Sequence, residues 1–328
     1  IAGAAILEVI AGLPRWQGVA IGGAAMTIYF AAGGLLSSAW VNALQLIVIL
    51  GGFAVAMPMI LAKVGGMAAI AAAPGVTSNY FNPLYSAGAM SGWTMLILLT
   101  PGLVVTPGSI QKAYGAESAR AVTIGVTAAA IAQMFFSFFP VLMGMAARVN
   151  HPDIAAASLV LPTAMLDELP VYFGALALAA VFSAEVSTCD TLLFILATSA
   201  SKDVYQRFIN RAATPVQMLR VARTAAVTGG ALGMILAVQL ASILDALRIF
   251  YSVIGTALFV PIAGGLLLPR AGAREAMAAI GVGMSMLVAV HFGTDRTGIW
   301  DPASWGLVGS AVAFGGSYLM SRAGGSAS

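Results

Sequence analysis

Asp190 lies in the run Ala184-Glu185-Val186-Ser187-Thr188-Cys189-Asp190-Thr191, inside an apolar stretch from Leu169 to Ser199. A stretch of that length can cross a bilayer, whose hydrocarbon core takes about 20 residues of helix. A carboxylate at such a depth costs roughly 2.5–3.5 kcal/mol even on the lenient insertion scales. Two carboxylates in one span, beside Ser and Thr hydroxyls, need a cation, a proton or a partner group to hold them there. The pattern predicts an ion or proton pathway, and therefore transport.

At about 100° per residue, Ala184, Ser187, Thr188, Asp190 and Thr191 spread over half the circumference of a helix. That face offers three hydroxyls, a carboxylate and, at the small Ala184, an approachable backbone. An oxygen-only ligand set suits a hard, weakly held cation, with sodium the first choice. Ser187 and Thr188 by themselves would do no more than hydrogen-bond a neighbouring helix; Asp190 turns the reading towards an ion. Glu185 points to roughly the opposite face from Ser187. Pairing with a polar neighbour and carrying a proton are both open to it.

A second constellation is a backbone one. The span from Trp93 to Gln111 contains Thr100-Pro101-Gly102 and Thr106-Pro107-Gly108-Ser109. Two Pro-Gly breaks so close together predict an unwound helix. Unwound backbone at membrane depth is tolerated where it lines a cavity or is buried in protein, and broken helices build the substrate sites of secondary transporters. A plain proline kink is the alternative. Thr106, Ser109 and Gln111, in or beside the break, could meet a small polar solute; Gln111 could instead cap the helix end.

The elements that must position these groups are membrane spans. The 328 residues are 60% hydrophobic and 8% charged, against about 25% charged in soluble domains. The chain therefore reads as an all-α, polytopic membrane protein. A net charge of +3, with the bases scattered over loops, does not indicate a nucleic-acid partner. Cys189 is the only cysteine, and His151 and His291 lie far apart, so neither a disulfide framework nor a zinc site is expected. The first residue is Ile, inside an apolar segment without signal-peptide features. The sequence is read as the C-terminal part of a longer protein.

Apolar runs against Gly, Pro and charge punctuation predict about ten segments. They are Ile1–Leu13, Trp16–Gly34, Trp40–Ala62, Trp93–Gln111, Val122–Ala146, Val171–Ser199, Ala225–Leu240, Ile249–Leu268, Ala276–His291 and Trp305–Met320. The loop with Lys202, Arg207, Arg211, Arg220 and Arg223 is placed inside by its positive charge. Alternation then puts Lys112, Arg120, Arg270, Arg274 and Arg322 inside, and Arg15, Lys63, Arg148, Arg248 and Arg296 outside. The loop from Asn150 to Pro170, with Asp153, Asp167 and Glu168, falls outside.

Three segments together resemble the sodium:solute symporter family. The first is Tyr29-Phe30-Ala31-Ala32-Gly33-Gly34-Leu35 followed by Trp40-Val41-Asn42-Ala43-Leu44-Gln45. The second is Pro107-Gly108-Ser109-Ile110-Gln111-Lys112-Ala113-Tyr114-Gly115-Ala116. The third and most specific runs from Ala179-Ala180-Val181-Phe182-Ser183-Ala184 through Ser187-Thr188 to Ser201-Lys202-Asp203-Val204-Tyr205, with weaker similarity at Pro261 to Gly265. The resemblance implies a partial LeuT-type inverted-repeat fold in one transmembrane domain. Residues 1–62 would end the first repeat, 92–268 would form the second, and 269–328 would be accessory helices. The broken first core helix of the family would lie outside this sequence.

The resemblance further implies sodium as the coupling ion, with no cofactor. Ala184, through its carbonyl, and Ser187 and Thr188, through their hydroxyls, match the family's principal sodium site. Some members hold a second sodium; there Asn42 stands where the family usually has Asp, and Asp190 where it usually has Ser. Asn42, Asp190 and Thr191 are therefore expected to form a cation site whose charge has moved from one wall to the other; the alternative is that the site is lost and Asp190 is only hydrogen-bonded. The family implies a sodium-driven transporter of a small polar solute, set in the lipid bilayer of a bacterial plasma membrane, with oligomeric state left open. Two rival functions are a non-transporting sensor or scaffold and a proton-coupled transporter. A membrane enzyme ranks below them, because no nucleophile–base pair or His-Glu-x-x-His motif is present.

Overall fold

The computed structural model describes residues 1–77, 79–84, 92–154, 156–240, 242–294 and 301–325, with the side chains of 33–40, 93, 94, 97, 98, 112 and 323–325 left aside. The side chains of the Gly33-Gly34-Leu35 motif, Trp40, Trp93 and Lys112, and the whole of Arg296, thus lie outside the described residues. In chain order the helices are α1 (Ala2–Ala11), α2 (Arg15–Lys63), α3 (Gly66–Ala72), α4 (Gly92–Val104), α5 (Pro107–Tyr114), α6 (Ala119–Phe136) and α7 (Phe138–Asn150). There follow α8 (Ala157–Asp167), α9 (Val171–Thr198), α10 (Pro215–Gln239), α11 (Ile243–Ile254), α12 (Val260–Leu267), α13 (Ala273–Gly293) and α14 (Pro302–Gly325). Wider π-type turns extend α9 over Ser199–Ile209 and join α11 to α12 over Gly255–Phe259.

Among the described residues, six helical stretches are long and apolar enough to cross a membrane: Val41–Lys63, Ala119–Asn150, Val171–Ile209, Pro215–Gln239, Ile243–Leu267 and Ala273–Gly293. This is fewer than the ten segments read from the sequence. Ile1–Leu13 corresponds to a 10-residue apolar helix, α1, closed by Gly12 in the left-handed region (φ 64°), where a side chain would be strained. Trp16–Gly34 and Trp40–Ala62 share one continuous helix of 49 residues, α2. Gly33-Gly34 weakens a helix by about 1 kcal/mol per residue against Ala, which does not by itself force a break. The exposed flanks are apolar, as a lipid-facing surface requires: α6 has no buried residue, and Ile131, Met134 and Phe135 all stand more than half exposed.

The chain divides into two compact units. The first comprises 1–76 and 116–243, and its centre is α2 packed along α9. Small residues set that contact: a Cβ on Gly52 would come within 2.6 Å of Ala180 Cβ and 3.2 Å of Leu176 O. From Gly52 back to Tyr29, the α9 partners advance from Leu176 and Ala180 to Asp190, so the two helices are antiparallel. Phe53 meets Phe136 edge-on at 5.1 Å, and Ile60, Met143 and Met165 complete a dry core. At one end of this unit, Lys63, Asn150, His151 and Glu168 join the C-terminal ends of α2, α7 and α8. Lys63 Nζ lies 3.2 Å from Glu168 Oε2, Asn150 Nδ2 donates to Glu168 Oε1 at 2.9 Å, and His151 Nε2 stands 3.1 Å from the same oxygen.

The second unit comprises 77–115 and 244–328. Here α13 and α14 form a hairpin against the π-type turn. Gly283 and Gly306 allow the approach, since a Cβ on Gly306 would sit 2.8 Å from Thr256 Oγ1. Thr256 and Ser310 are wholly buried there, and their hydroxyls have no protein partner. The start of α13 is fixed by Glu275, which accepts from the Gly272 N–H at 2.9 Å.

Candidate functional site

All five residues singled out on the Asp190 span lie on α9 within one unbroken helical stretch of the first unit. Asp190 is 2% exposed, Thr191 and Ser187 are half-buried, and Thr188 is exposed. The hydroxyls are turned back onto their own helix. Thr188 Oγ1 donates to Ala184 O at 2.9 Å, and Thr191 Oγ1 donates to Ser187 O at 3.1 Å. Two of the three residues matched to the principal sodium site, Ala184 and Thr188, therefore present adjacent oxygens. Back-bonding satisfies these hydroxyls without an ion. Rotating each O–H away would turn both oxygens of a pair towards a cation.

Asn42 stands on α2, half-buried, on the helix that runs along α9. Residues the sequence reading did not pick as ligands join it. The Tyr29 phenol is within electrostatic reach of Asp190, and its buried oxygen has no hydrogen-bond partner among the described residues. Gln45, one turn after Asn42, is 8% exposed with a buried Oε1 that also lacks one. Each such buried orphan costs roughly 1–3 kcal/mol unless something satisfies it. The signal was present in the sequence: Asn42 and Gln45 are three apart in the otherwise apolar stretch 41–62, hence on one face.

Glu185 lies elsewhere. Its Oε1 is 3.0 Å from the Ile1 nitrogen, its Oε2 is buried without a partner, and it lines a cavity of about 300 Å³ walled by glycines of α2 and α10.

Thr106, Ser109 and Gln111 belong to the second unit. The predicted break is there but narrower than expected: α4 ends at Val104 and α5 starts at Pro107. Pro101-Gly102 lies inside α4 and does not break it. Gly102 serves packing instead, since a Cβ there would meet Tyr251 O at 2.5 Å. The local cause is Pro107, which has no N–H to give Leu103 O. The Thr106 N–H moves to Leu103 O (3.4 Å), and the carbonyl it leaves, Gly102 O, takes the Thr106 hydroxyl at 2.8 Å. Ser109 N turns to Thr106 O at 3.0 Å. Among the described residues no backbone donor reaches Val104 O or Val105 O, so the break leaves carbonyls for other partners. Ser109 is exposed and Gln111 half-buried.

Set beside known proteins, the chain matches the sodium:solute symporter family over residues 1–283. It is 24% identical over 308 residues to the sodium/sialic acid symporter SiaT of Proteus mirabilis, covering 86% of this chain and 60% of that protein. It is 25% identical over 304 residues to the uncharacterised symporter YidK of Escherichia coli, covering 87% of this chain and 52% of that protein. The sodium/pantothenate symporter of Escherichia coli is 25% identical over 211 residues, which are 62% of this chain and 43% of that protein. The chain thus spans about two-fifths to three-fifths of the length of these relatives. In structure it resembles a Na+-coupled sialic acid symporter solved in a substrate-bound, outward-open state, with a TM-score of 0.73 and 19% identity, over 95% of this chain and 69% of that one. These relatives are transporters and not enzymes. The chain belongs to the sodium:solute symporter family.

Proposed function

We propose that this chain is the larger part of a sodium-coupled secondary transporter that takes up a small polar solute by alternating access. It would sit in a bacterial plasma membrane. The observation that carries the reading is Asp190, a carboxylate 2% exposed on a membrane-length helix, flanked by Ser187, Thr188 and Thr191. Sodium would bind first to the Ala184 carbonyl and the Ser187 and Thr188 hydroxyls. A second cation would bind between Asn42, Asp190 and Thr191. In this scheme residues 1–62 and 92–268 belong to the two repeats of a LeuT-type fold, and 269–328 are accessory. Thr106, Ser109 and Gln111, with the carbonyls freed at the break, would line the solute path. Sialic acid and pantothenate, the solutes named for the relatives, are the first candidates to try.

The test is sodium-dependent thermal stabilisation of the full-length protein in detergent. Sodium is expected to raise the melting temperature, while potassium and choline are not. Ser187→Ala and Thr188→Ala should each weaken the sodium response by about tenfold, since hydrogen-bonding groups on charges contribute about 1.5–3 kcal/mol. A sodium response equal to wild type in both variants would refute this placement of the ion.

One observation favours a second reading. Glu185 Oε2 is buried without a partner beside a cavity, as a proton-carrying carboxyl would be. Proton coupling through Glu185 predicts uptake that follows a pH gradient without sodium and is lost in Glu185→Gln.

A further inference from the structure

The outer contact between α2 and α10 contains a groove of about 510 Å³ that the transport reading does not use. Its α10 wall is Arg223, Val227, Ala231 and Met234, spaced four, four and three residues apart and therefore on one face. Its α2 wall is built largely from Ala24, Ile28, Ala31 and Ala32. The two helices are antiparallel. A Cβ on Gly23 would meet the Met234 side chain, and one on Gly230 would meet Thr27. Arg223 accordingly closes the end of the groove near Ala31 and Ala32.

The two ends of this helix pair treat their arginines differently. At the far end, Arg15 on α2 donates to Ala237 O at 2.9 Å and to Leu240 O, the carbonyls exposed where α10 ends. That cation is used within the protein, where it complements the negative end of the helix. Arg223 is exposed, and neither it nor Arg220 has a hydrogen bond or ion pair among the described residues. Residues 199–223 carry Lys202, Arg207, Arg211, Arg220 and Arg223 against a single acid, Asp203. A largely apolar groove between α2 and the membrane-length helix α10, closed by a guanidinium that is unpaired among the described residues and set in a basic region, matches one kind of molecule. It needs a hydrocarbon chain with a negative head at one end. Basic pockets between transmembrane helices hold anionic headgroups in this way, and Arg can lay its stem on apolar surface while its head stays at the interface.

We propose that the α2–α10 groove binds one anionic phospholipid. An acyl chain lies along Val227, Ala231, Met234 and the facing alanines, and the phosphate sits on Arg223 with Arg220 beside it. A bidentate guanidinium–phosphate pair supplies the headgroup preference, and the groove supplies depth. The lipid would hold α2 against α10.

The test uses the full-length protein, delipidated in detergent and titrated with cardiolipin, phosphatidylglycerol, phosphatidylcholine or inorganic phosphate. The readouts are melting temperature and lipids retained in native mass spectrometry. Cardiolipin and phosphatidylglycerol are expected to raise the melting temperature by several degrees with one lipid retained, while phosphatidylcholine and phosphate do neither. Arg223→Gln, an exposed change that leaves the packing intact, should weaken anionic-lipid binding at least fivefold. Ala231→Phe, which fills the groove, should abolish it, and Arg211→Gln should leave it unchanged. Equal binding of phosphatidylcholine, an equal effect of phosphate alone, or full retention of lipid in both Arg223→Gln and Ala231→Phe would overturn the proposal.

Discussion

The Asp190 stretch of α9 and the break between α4 and α5 expose polar groups by opposite routes. In α9 the backbone stays helical throughout, and the side chains supply the oxygens: a carboxylate and three hydroxyls, two of them bonded back to the helix at 2.9 and 3.1 Å. At the break one proline removes one donor, and the backbone itself is left with open carbonyls, with Thr106 repairing only Gly102 O. The difference teaches a division of work. A charged ion is suited by a rigid wall with a fixed charge. A neutral or variable solute is suited by carbonyls and small polar side chains at a bend that can change.

The comparison breaks most visibly at Asp190. Asp190→Asn keeps the shape and removes the charge. Leaving a buried ion without its partner costs about 3–5 kcal/mol, so apparent sodium affinity in thermal-shift titration should fall roughly 100-fold or more. At the break, Pro107→Ala returns an N–H to Leu103 O and lets the helix run on. Solute uptake should fall several-fold while sodium-dependent stabilisation stays within about twofold of wild type. Matching losses of both would remove the division of work.

Smaller effects sharpen the frame around the two regions. Glu168 lies outside the spans. Burial pushes its carboxyl up, but hydrogen bonds from Asn150, Lys63 and His151 and the Lys63 charge outweigh this and hold it below the usual carboxylate value. A carboxyl lowered in the folded state adds stability above its unfolded value, and that stability is lost as pH falls through the folded one. The melting temperature should therefore drop on acidification below about pH 4.5, and Glu168→Gln should flatten that part of the profile. The smallest change is at Thr256, whose buried hydroxyl has no partner. Thr256→Val removes an unsatisfied group at constant shape, so the melting temperature should stay the same or rise by a degree or two.

Asp190 was legible in the sequence because one carboxylate in an apolar run is a local signal that no context can hide. The same holds for Pro107, whose missing N–H acts within four residues. Pro101 misled, because its neighbours tolerate it and Gly102 is there to let Tyr251 approach. The π-type turns at Ser199–Ile209 and Gly255–Phe259 carry no residue pattern of their own. Nor could the Glu168 cluster be read, because its members sit at 63, 150, 151 and 168 and meet only when three helix ends converge. Tyr29 and Gln45 were visible as motif residues, but their burial without partners depends on α9 packing over them. Gly33-Gly34 suggested a boundary between two segments, and α2 runs straight through it.

The most direct test moves the charge. Sodium-dependent solute uptake, with sialic acid and pantothenate tried first, is measured for the full-length wild type, Asp190→Ser, and the double variant Asn42→Asp with Asp190→Ser. The charge-relocated site predicts that Asp190→Ser shifts uptake to much higher sodium concentrations, with the principal site still occupied, and that adding Asn42→Asp restores most of the lost sodium affinity. Sodium dependence in Asp190→Ser equal to wild type would contradict the account, because the carboxylate would then hold no coupling ion.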